Sequence, residues 1–242
     1  MKFSVCIPMY NENAVIANTA KTLSSYMEQT FDDYEIVFCD DGSTDGCAQT
    51  VRNLGLPRVR VIGYEKNQGK GYAVRTAMLA AEGDIRMFTD ADLAYGTDVI
   101  GRVADKFAEY PNADLVIGSR NISRDGYEGY TWIRRLASRV YIRVLCLAGG
   151  FQLSDSQCGC KAFSGKAAER IFSKCEVNGF AFDFEAILWA VNSGMEIREM
   201  PVKVINHGDS KVRVLRDTFR MLSDLRRMKK RIRKATKAQK NT

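Results

Sequence analysis

Apolar positions in the first 120 residues follow two alternating spacings. Largely apolar runs predict buried strands at Lys2–Pro8 and Tyr34–Cys39, and further strands at Val59–Tyr64, Ile85–Thr89 and Leu115–Ser119, because a strand covered on both faces reads as a nearly continuous hydrophobic run. Pro8, which lacks a ladder donor, is read as the end of the first. Between the strands, apolar residues recur near the helical period: Val15, Ile16, Ala20, Leu23 and Met27 predict a helix over Asn13–Gln29. Shorter helices are predicted over Thr44–Asn53, Tyr72–Ala81 and Asp98–Tyr110, with a Gly-rich loop at Asn67–Gly71. After residue 120 the pattern changes. Arg134–Leu147 is an Arg-studded amphipathic helix ended by Gly149-Gly150. Phe180–Ser193 is another, with Phe184, Ile187, Leu188 and Val191 on one face. Ile197–Val204 alternates around Pro201 as an edge strand does, and Val214–Ile232 closes the series as an amphipathic helix.

Strands alternating with helices over short links imply an α/β fold, with a mostly parallel sheet, right-handed crossovers and helices on both faces. Ligands of such sheets bind beyond the carboxyl ends of the strands. Those ends carry Asn11-Glu12, Asp40-Asp41, Asn67–Gly69, Asp90–Asp92 and Ser119-Arg120, which are expected to converge on one crevice.

Composition adds limits. The 242 residues, 45% hydrophobic and 27% charged, suit one globular domain without repeats or low-complexity tracts. No window of about 20 apolar residues occurs, so no spanning helix is expected, nor does the amino terminus read as a secretory leader. The seven cysteines are odd in number, and Cys6 and Cys39 lie in apolar runs. Reduced, buried thiols of a cytoplasmic protein are therefore expected, and Cys158-Gly159-Cys160 is not a zinc spacing. The net charge of +7 is unevenly placed: residues 213–242 hold 12 Lys/Arg and two acids, leaving 24 basic and 27 acidic residues in 1–212. The expected organisation is a globular domain over 1–212 and a basic amphipathic tail over 213–242. Such a tail suits an anionic surface. It contains Phe219 as its one aromatic, which gives poor support for base stacking, so no specific nucleic-acid partner is expected.

Asp90-Ala91-Asp92 places two carboxylates just past a buried strand, where they can share a hard divalent ion, Mg²⁺ or Mn²⁺, with a diphosphate. Asp40 and Asp41 exceed what a helix cap needs, and one of them can read a base or a ribose. Asn67-Gln68-Gly69-Lys70-Gly71 opens a helix, where backbone N–H groups and Lys70 could face phosphate. Neither a Walker loop nor a Rossmann fingerprint is present, which argues against ATPase and dehydrogenase chemistry. The lone His207 has no Ser or Cys partner for nucleophilic catalysis.

Together these segments resemble family 2 glycosyltransferases of the GT-A fold. The resemblance rests on Ile7–Glu12, Asp40–Asp45, Asn67–Gly71 and Thr89–Leu93, in order and at family-like spacing. Within that family, Ile117–Arg120 and Arg134–Arg139 are similar to acceptor-side segments of polyprenyl-phosphate hexosyltransferases. Asp155–Phe163 and Gly179–Glu185 look closer to the dolichyl-phosphate glucose synthase branch. Mannose synthases carry Arg three residues before the Gly of a G-x-S-K motif. Ile205 stands there in Ile205–Lys211, and His207 is similar to the glucose branch, which favours UDP-glucose over GDP-mannose.

The resemblance implies inverting transfer of a hexose to a polyprenyl phosphate. Some relatives carry a spanning segment and none is expected here, so the basic amphipathic helices Arg134–Leu147 and Val214–Ile232 are expected to dock the protein peripherally on the inner, cytoplasmic face of a membrane. Pro8, Tyr10, Asn11, Glu12 and Ala91 would shape the nucleotide-sugar pocket, and Asp183 or Glu185 would touch the sugar or complete the metal site. A phosphate monoester, with a second pKa of about 6, needs positioning rather than a general base. Arg120, Arg134, Arg135, Arg139 and Lys211 are the candidates to hold it. A soluble or glycan acceptor and a GDP-mannose donor remain open alternatives, as does the oligomeric state.

Overall fold

The computed structural model describes residues 1–123, 126, 132–205, 227–232 and 234–235, with the backbone alone at 133–135, 137 and 141. Seven strands form one sheet: β1 (Phe3–Met9), β2 (Tyr34–Asp41), β3 (Val59–Tyr64), β4 (Ile85–Phe88), β5 (Leu115–Ser119), β6 (Lys161–Ser164) and β7 (Ile197–Pro201), in the order β3-β2-β1-β4-β6-β5-β7. β1 pairs in parallel with β2 and β4, β2 with β3, and β5 with β7. β6 runs antiparallel to both β4 and β5.

The helices are α1 (Asn13–Thr30), α2 (Cys47–Asn53), α3 (Lys70–Ala80), α4 (Asp98–Glu109), α5 (Trp132–Gly149), α6 (Gly165–Phe172) and α7 (Phe182–Asn192). One hydrophobic cluster lies on each side of the sheet. α1, α2 and α4 bury Ile16, Leu23, Met27, Val51, Ile100 and Val103 in one. α3, α6, α7 and the inner side of α5 bury Val74, Met78, Ile171, Ile187 and Leu145 in the other. On α1 the predicted stripe is buried at Ile16, Ala20, Leu23 and Met27, while Val15 faces outward. Each large side chain so buried contributes about 1.5–3 kcal/mol.

Pro8 lies inside β1 rather than at its end. Its pairing partner Cys39 lies on β2, whereas the β4 ladder stops at Cys6 opposite Phe88. Cys6 turns its carbonyl to the β4 side, where Thr89 N–H donates to it at 3.2 Å. Pro8, two residues on, presents its missing N–H to the same side, beyond the last ladder bond. The predicted helix at Thr44 begins instead at Cys47, because Asp45 accepts the N–H groups of Asn13 (2.8 Å) and Cys47 (3.0 Å) and holds the preceding turn open. β6 and α6 are absent from the sequence expectations. β6 has four residues and opens on a lysine, so nothing in its pattern marks a central strand. α6 is one short amphipathic stretch capped by Ser164, whose hydroxyl accepts the Ala167 N–H at 3.2 Å.

Of the last predicted helix, residues 227–232 and 234–235 are helical, and Met228 and Ile232 are buried in the same cluster as α6 and α7. Residues 214–226 and 233, with His207 and Lys211, lie outside the described residues. All seven cysteines are free and buried, so they are core thiols.

Candidate active site

The carboxyl ends of β1, β2, β3, β4 and β5 meet at one edge of the sheet, as parallel pairing requires. β5 shares that direction because β6 is antiparallel to it and to β4. The same reversal puts the amino end of β6 at this edge. Lys161, opposite both Phe88 and Ile117, thereby enters the crevice between two strand ends.

Asp41 is committed to building the loop after β3. Its buried carboxylate accepts the Tyr64 hydroxyl (2.7 Å), Asn67 Nδ2 (2.9 Å), Gln68 N–H (2.8 Å) and Gly69 N–H (3.0 Å). Gly71 N–H donates to the Asn178 carbonyl at 2.7 Å. Three of the amides expected to face phosphate, those of Gln68, Gly69 and Gly71, are thus engaged within the protein, and the Lys70 side chain is a charge the loop can offer a ligand. Gly69 adopts φ +103°, and a Cβ there would meet the Asn178 carbonyl oxygen at 2.5 Å, so backbone packs on backbone where only glycine fits. Of the acidic pair, Asp40 is the more available: one oxygen caps Ser43 N–H at 3.0 Å. Asn11, in the left-handed region at φ 53°, ties the β1 end to the β2 end by donating its N–H to Ser43 Oγ (3.0 Å) and accepting Thr44 N–H (2.9 Å). Pro8 is buried, Tyr10 is exposed beside Asn11, and Glu12 caps α1 through its carbonyl. Ala91 is buried, its carbonyl accepting the Thr19 hydroxyl at 2.6 Å.

Asp90 and Asp92 follow β4. Lys70 Nζ contacts Asp90 Oδ1. Asp90 Oδ2 lies against Gly159, where a Cβ would sit 2.5 Å away. Asp92 accepts the Ala94 N–H at 3.0 Å. Burial, and then the adjacent Asp90 charge, push the Asp92 carboxyl above its ordinary value. Burial works against the Lys70 ammonium, but Asp90 offsets it and holds the lysine above its ordinary value. Asp183, at the start of α7, pairs at 3.0 Å with Lys161, which has no exposed surface. Burial raises the Asp183 carboxyl, with Lys161 and then Lys70 opposing. Three carboxylates and two ammonium groups thus crowd one corner.

Among the described residues no three metal-binding side chains cluster. A Mg²⁺ or Mn²⁺ ion needs no such cluster: one or two carboxylates with water and substrate phosphate suffice. Asp90 and Asp92 fit that role, since their mutual repulsion is what a divalent cation relieves.

Other expected residues are placed differently. Glu185 does not reach the crevice. Its carboxylate is fully buried, one oxygen accepting the N–H groups of Glu176 (2.9 Å) and Val177 (2.8 Å) while Arg231 contacts the other. Helical geometry turns it away from Asp183, two positions earlier. Arg120 is held by Asp155 through Nε (2.6 Å) and Nη2 (3.0 Å), and Asp155 has no exposed surface. That pair holds the Asp155 carboxyl below its ordinary value against the cost of burial. Arg139 is exposed on α5, and Arg134 and Arg135 are described by their helical backbone. Lys161 is absent from the sequence expectations; its signal, a charged residue before the apolar pair Ala162-Phe163, is visible only once the antiparallel strand is known.

A family model described as Glycosyl transferase family 2 matches residues 4–172. A dolichyl-phosphate beta-glucosyltransferase of Trichomonas vaginalis is 30% identical over 86% of this chain and 65% of the relative. One of Saccharomyces cerevisiae is 29% identical over 92% of this chain and 72% of the relative. The chain therefore spans about two thirds of the length of these relatives. The fold matches a glucosyl-3-phosphoglycerate synthase of Mycobacterium tuberculosis, solved with Mn²⁺, UDP and glucosyl-3-phosphoglycerate. The TM-score is 0.71 at 18% identity, over 94% of this chain and 79% of that one.

Proposed function

The chain belongs to glycosyl transferase family 2 and is a glycosyltransferase, and from that premise we propose that it moves a hexose, glucose from UDP-glucose, onto a polyprenyl phosphate at the cytoplasmic face of a membrane. The observation that carries this reading is that relatives matching most of the chain are named dolichyl-phosphate beta-glucosyltransferases.

Asp90 and Asp92 would hold Mg²⁺ or Mn²⁺ against the donor diphosphate; when bound, the ion neutralises charge on the departing nucleoside diphosphate. Lys70 would add a second cation. Asp40 addresses the nucleoside, and Asp183, fixed by Lys161, addresses the sugar. An acceptor phosphate oxygen bonds to the anomeric carbon as the bond to the diphosphate oxygen breaks, and the electron pair leaves with the diphosphate. Inversion of an alpha-linked donor gives a beta product, in keeping with the relatives' names. The acceptor is already ionised near neutrality, so no general base is required.

No helix among the described residues is long and apolar enough to cross a membrane. α5 supplies another means of contact. Trp132, Leu136, Val140, Val144 and Leu147 are all exposed along one side, with Arg139 and Arg143 exposed beside them. Apolar and cationic groups so combined suit the boundary between headgroups and acyl chains. An open groove of about 570 Å³, lined in part by Arg143, Leu147, Phe151 and Leu153, continues from that side and could accept isoprene units.

The test is nucleoside diphosphate release by purified protein with Mn²⁺ or Mg²⁺ and a short polyprenyl phosphate, each of UDP-glucose, UDP-galactose, UDP-GlcNAc and GDP-mannose offered separately. Release from UDP-glucose that needs both lipid and metal is the expected result. Binding of a donor with no lipid-dependent release from any would reject the acceptor and redirect attention to soluble phosphorylated or glycan acceptors.

A further inference from the structure

The loop carrying Lys70 is fixed at its backbone. Asp41 holds the N–H groups of Gln68 and Gly69, and Gly71 N–H is bonded to the Asn178 carbonyl. Cβ atoms at Gly69 and Gly71 would each meet a carbonyl oxygen of the 177–178 segment at 2.5 Å, so this loop has no room to shift. The Lys70 side chain is different: it is 28% exposed, its four-carbon stem has free rotatable bonds, and its ammonium lies on Asp90 Oδ1. A divalent cation held by Asp90 and Asp92 competes with that ammonium for the same carboxylate. Lys161 is already fixed to Asp183 and to the Cys158 carbonyl, at 3.0 and 2.6 Å. It has no exposed surface, so it cannot leave in its place. The corner holds three carboxylates and two ammonium groups. A divalent cation alone would leave it with excess positive charge, and a diphosphate restores the balance.

We propose that Lys70 is an exchangeable counter-ion that makes metal and nucleoside diphosphate bind cooperatively. Its ammonium occupies Asp90 until both arrive, then transfers to the diphosphate as the metal takes the carboxylate. The inference rests on the donor and metal reading above and adds a dependence that reading does not contain. Linkage requires the coupling to be reciprocal: diphosphate tightens metal binding by the factor by which metal tightens diphosphate binding.

The test is Mn²⁺ titration of the full chain, followed by the electron paramagnetic resonance signal of free Mn²⁺, without nucleotide and with UDP or GDP. Wild type is compared with Lys70→Met, which keeps the length and removes the charge, and with Lys70→Gln as a second uncharged side chain. Thermal melting confirms that each variant is folded. In wild type the nucleotide should tighten Mn²⁺ by at least about fivefold, the lower end of ordinary coupling. In both variants Mn²⁺ without nucleotide should bind tighter than in wild type, and the nucleotide effect should shrink toward none. Unchanged or weaker Mn²⁺ binding in the variants, with wild type still binding Mn²⁺ in the presence of nucleotide, would overturn the role of Lys70 and leave the metal site standing. No Mn²⁺ binding by wild type even with nucleotide would overturn both.

Discussion

Asp90 is confined from two directions, by the Lys70 ammonium on one oxygen and by the Gly159 backbone on the other. Gly159 does not have a left-handed φ, so alanine is compatible with the backbone there. The added methyl would instead displace Asp90 Oδ2. Gly159→Ala is therefore expected to lower kcat/KM by about 100-fold, the scale of an ångström-sized misplacement of a reacting group, with melting behaviour close to wild type. Full activity in that variant would show that the position of Asp90 does not matter. Such relations explain what the sequence could and could not disclose at this scale. Asp90 and Asp92 are legible because a D-x-D spacing after an apolar run is local. That Asp41 builds a loop while Asp40 remains available is not, since the donors that engage Asp41 come from Tyr64 and residues 67–69. Lys161 and Glu185 exchange importance for the same reason: each is defined by a partner distant in sequence.

Elements were legible where one physical signal dominated. β5 matches its apolar run residue for residue, and α1 its apolar stripe, because burial on two faces or one imposes its own period; β3 keeps its expected bounds as a half-buried edge strand. β6 escaped because a central position in a sheet does not require length, and its neighbours supply the apolar surroundings that its own four residues do not advertise. α5 has both an inner side, with Ile142, Leu145 and Cys146 buried, and an outer apolar side. Leu147 is 83% exposed and Leu136 54%. A helix that only packed on the domain would not need that outer side. The double variant Leu136→Glu/Leu147→Glu is expected to lose co-flotation with liposomes containing anionic lipid while UDP binding and melting temperature stay unchanged. Undiminished flotation would assign membrane contact to another part of the chain.

At the scale of the whole molecule, the basic C-terminal segment is partly built into the domain. Arg231 contacts both Glu176 and the fully buried Glu185, and Met228 and Ile232 join the core. Arg231→Met in the full chain would strand a buried carboxylate, a loss of about 3–5 kcal/mol. At about 2–4 °C per kcal/mol for a chain of this size, the melting temperature should fall by roughly 6–20 °C. An unchanged melting temperature would mean that the segment is an appendage after all. The antiparallel strand β6 also bears on how the protein is made. β1 to β4 pair only with one another until residue 161, so the donor half of the sheet can form as soon as it is synthesised. β5 has no partner in the sheet except β6 and β7. At translation rates of about 5–20 residues per second, Leu115–Ser119 waits roughly 2–8 s for residue 161 to be added. During that interval an apolar strand has both edges open, the kind of transient exposure that chaperones protect.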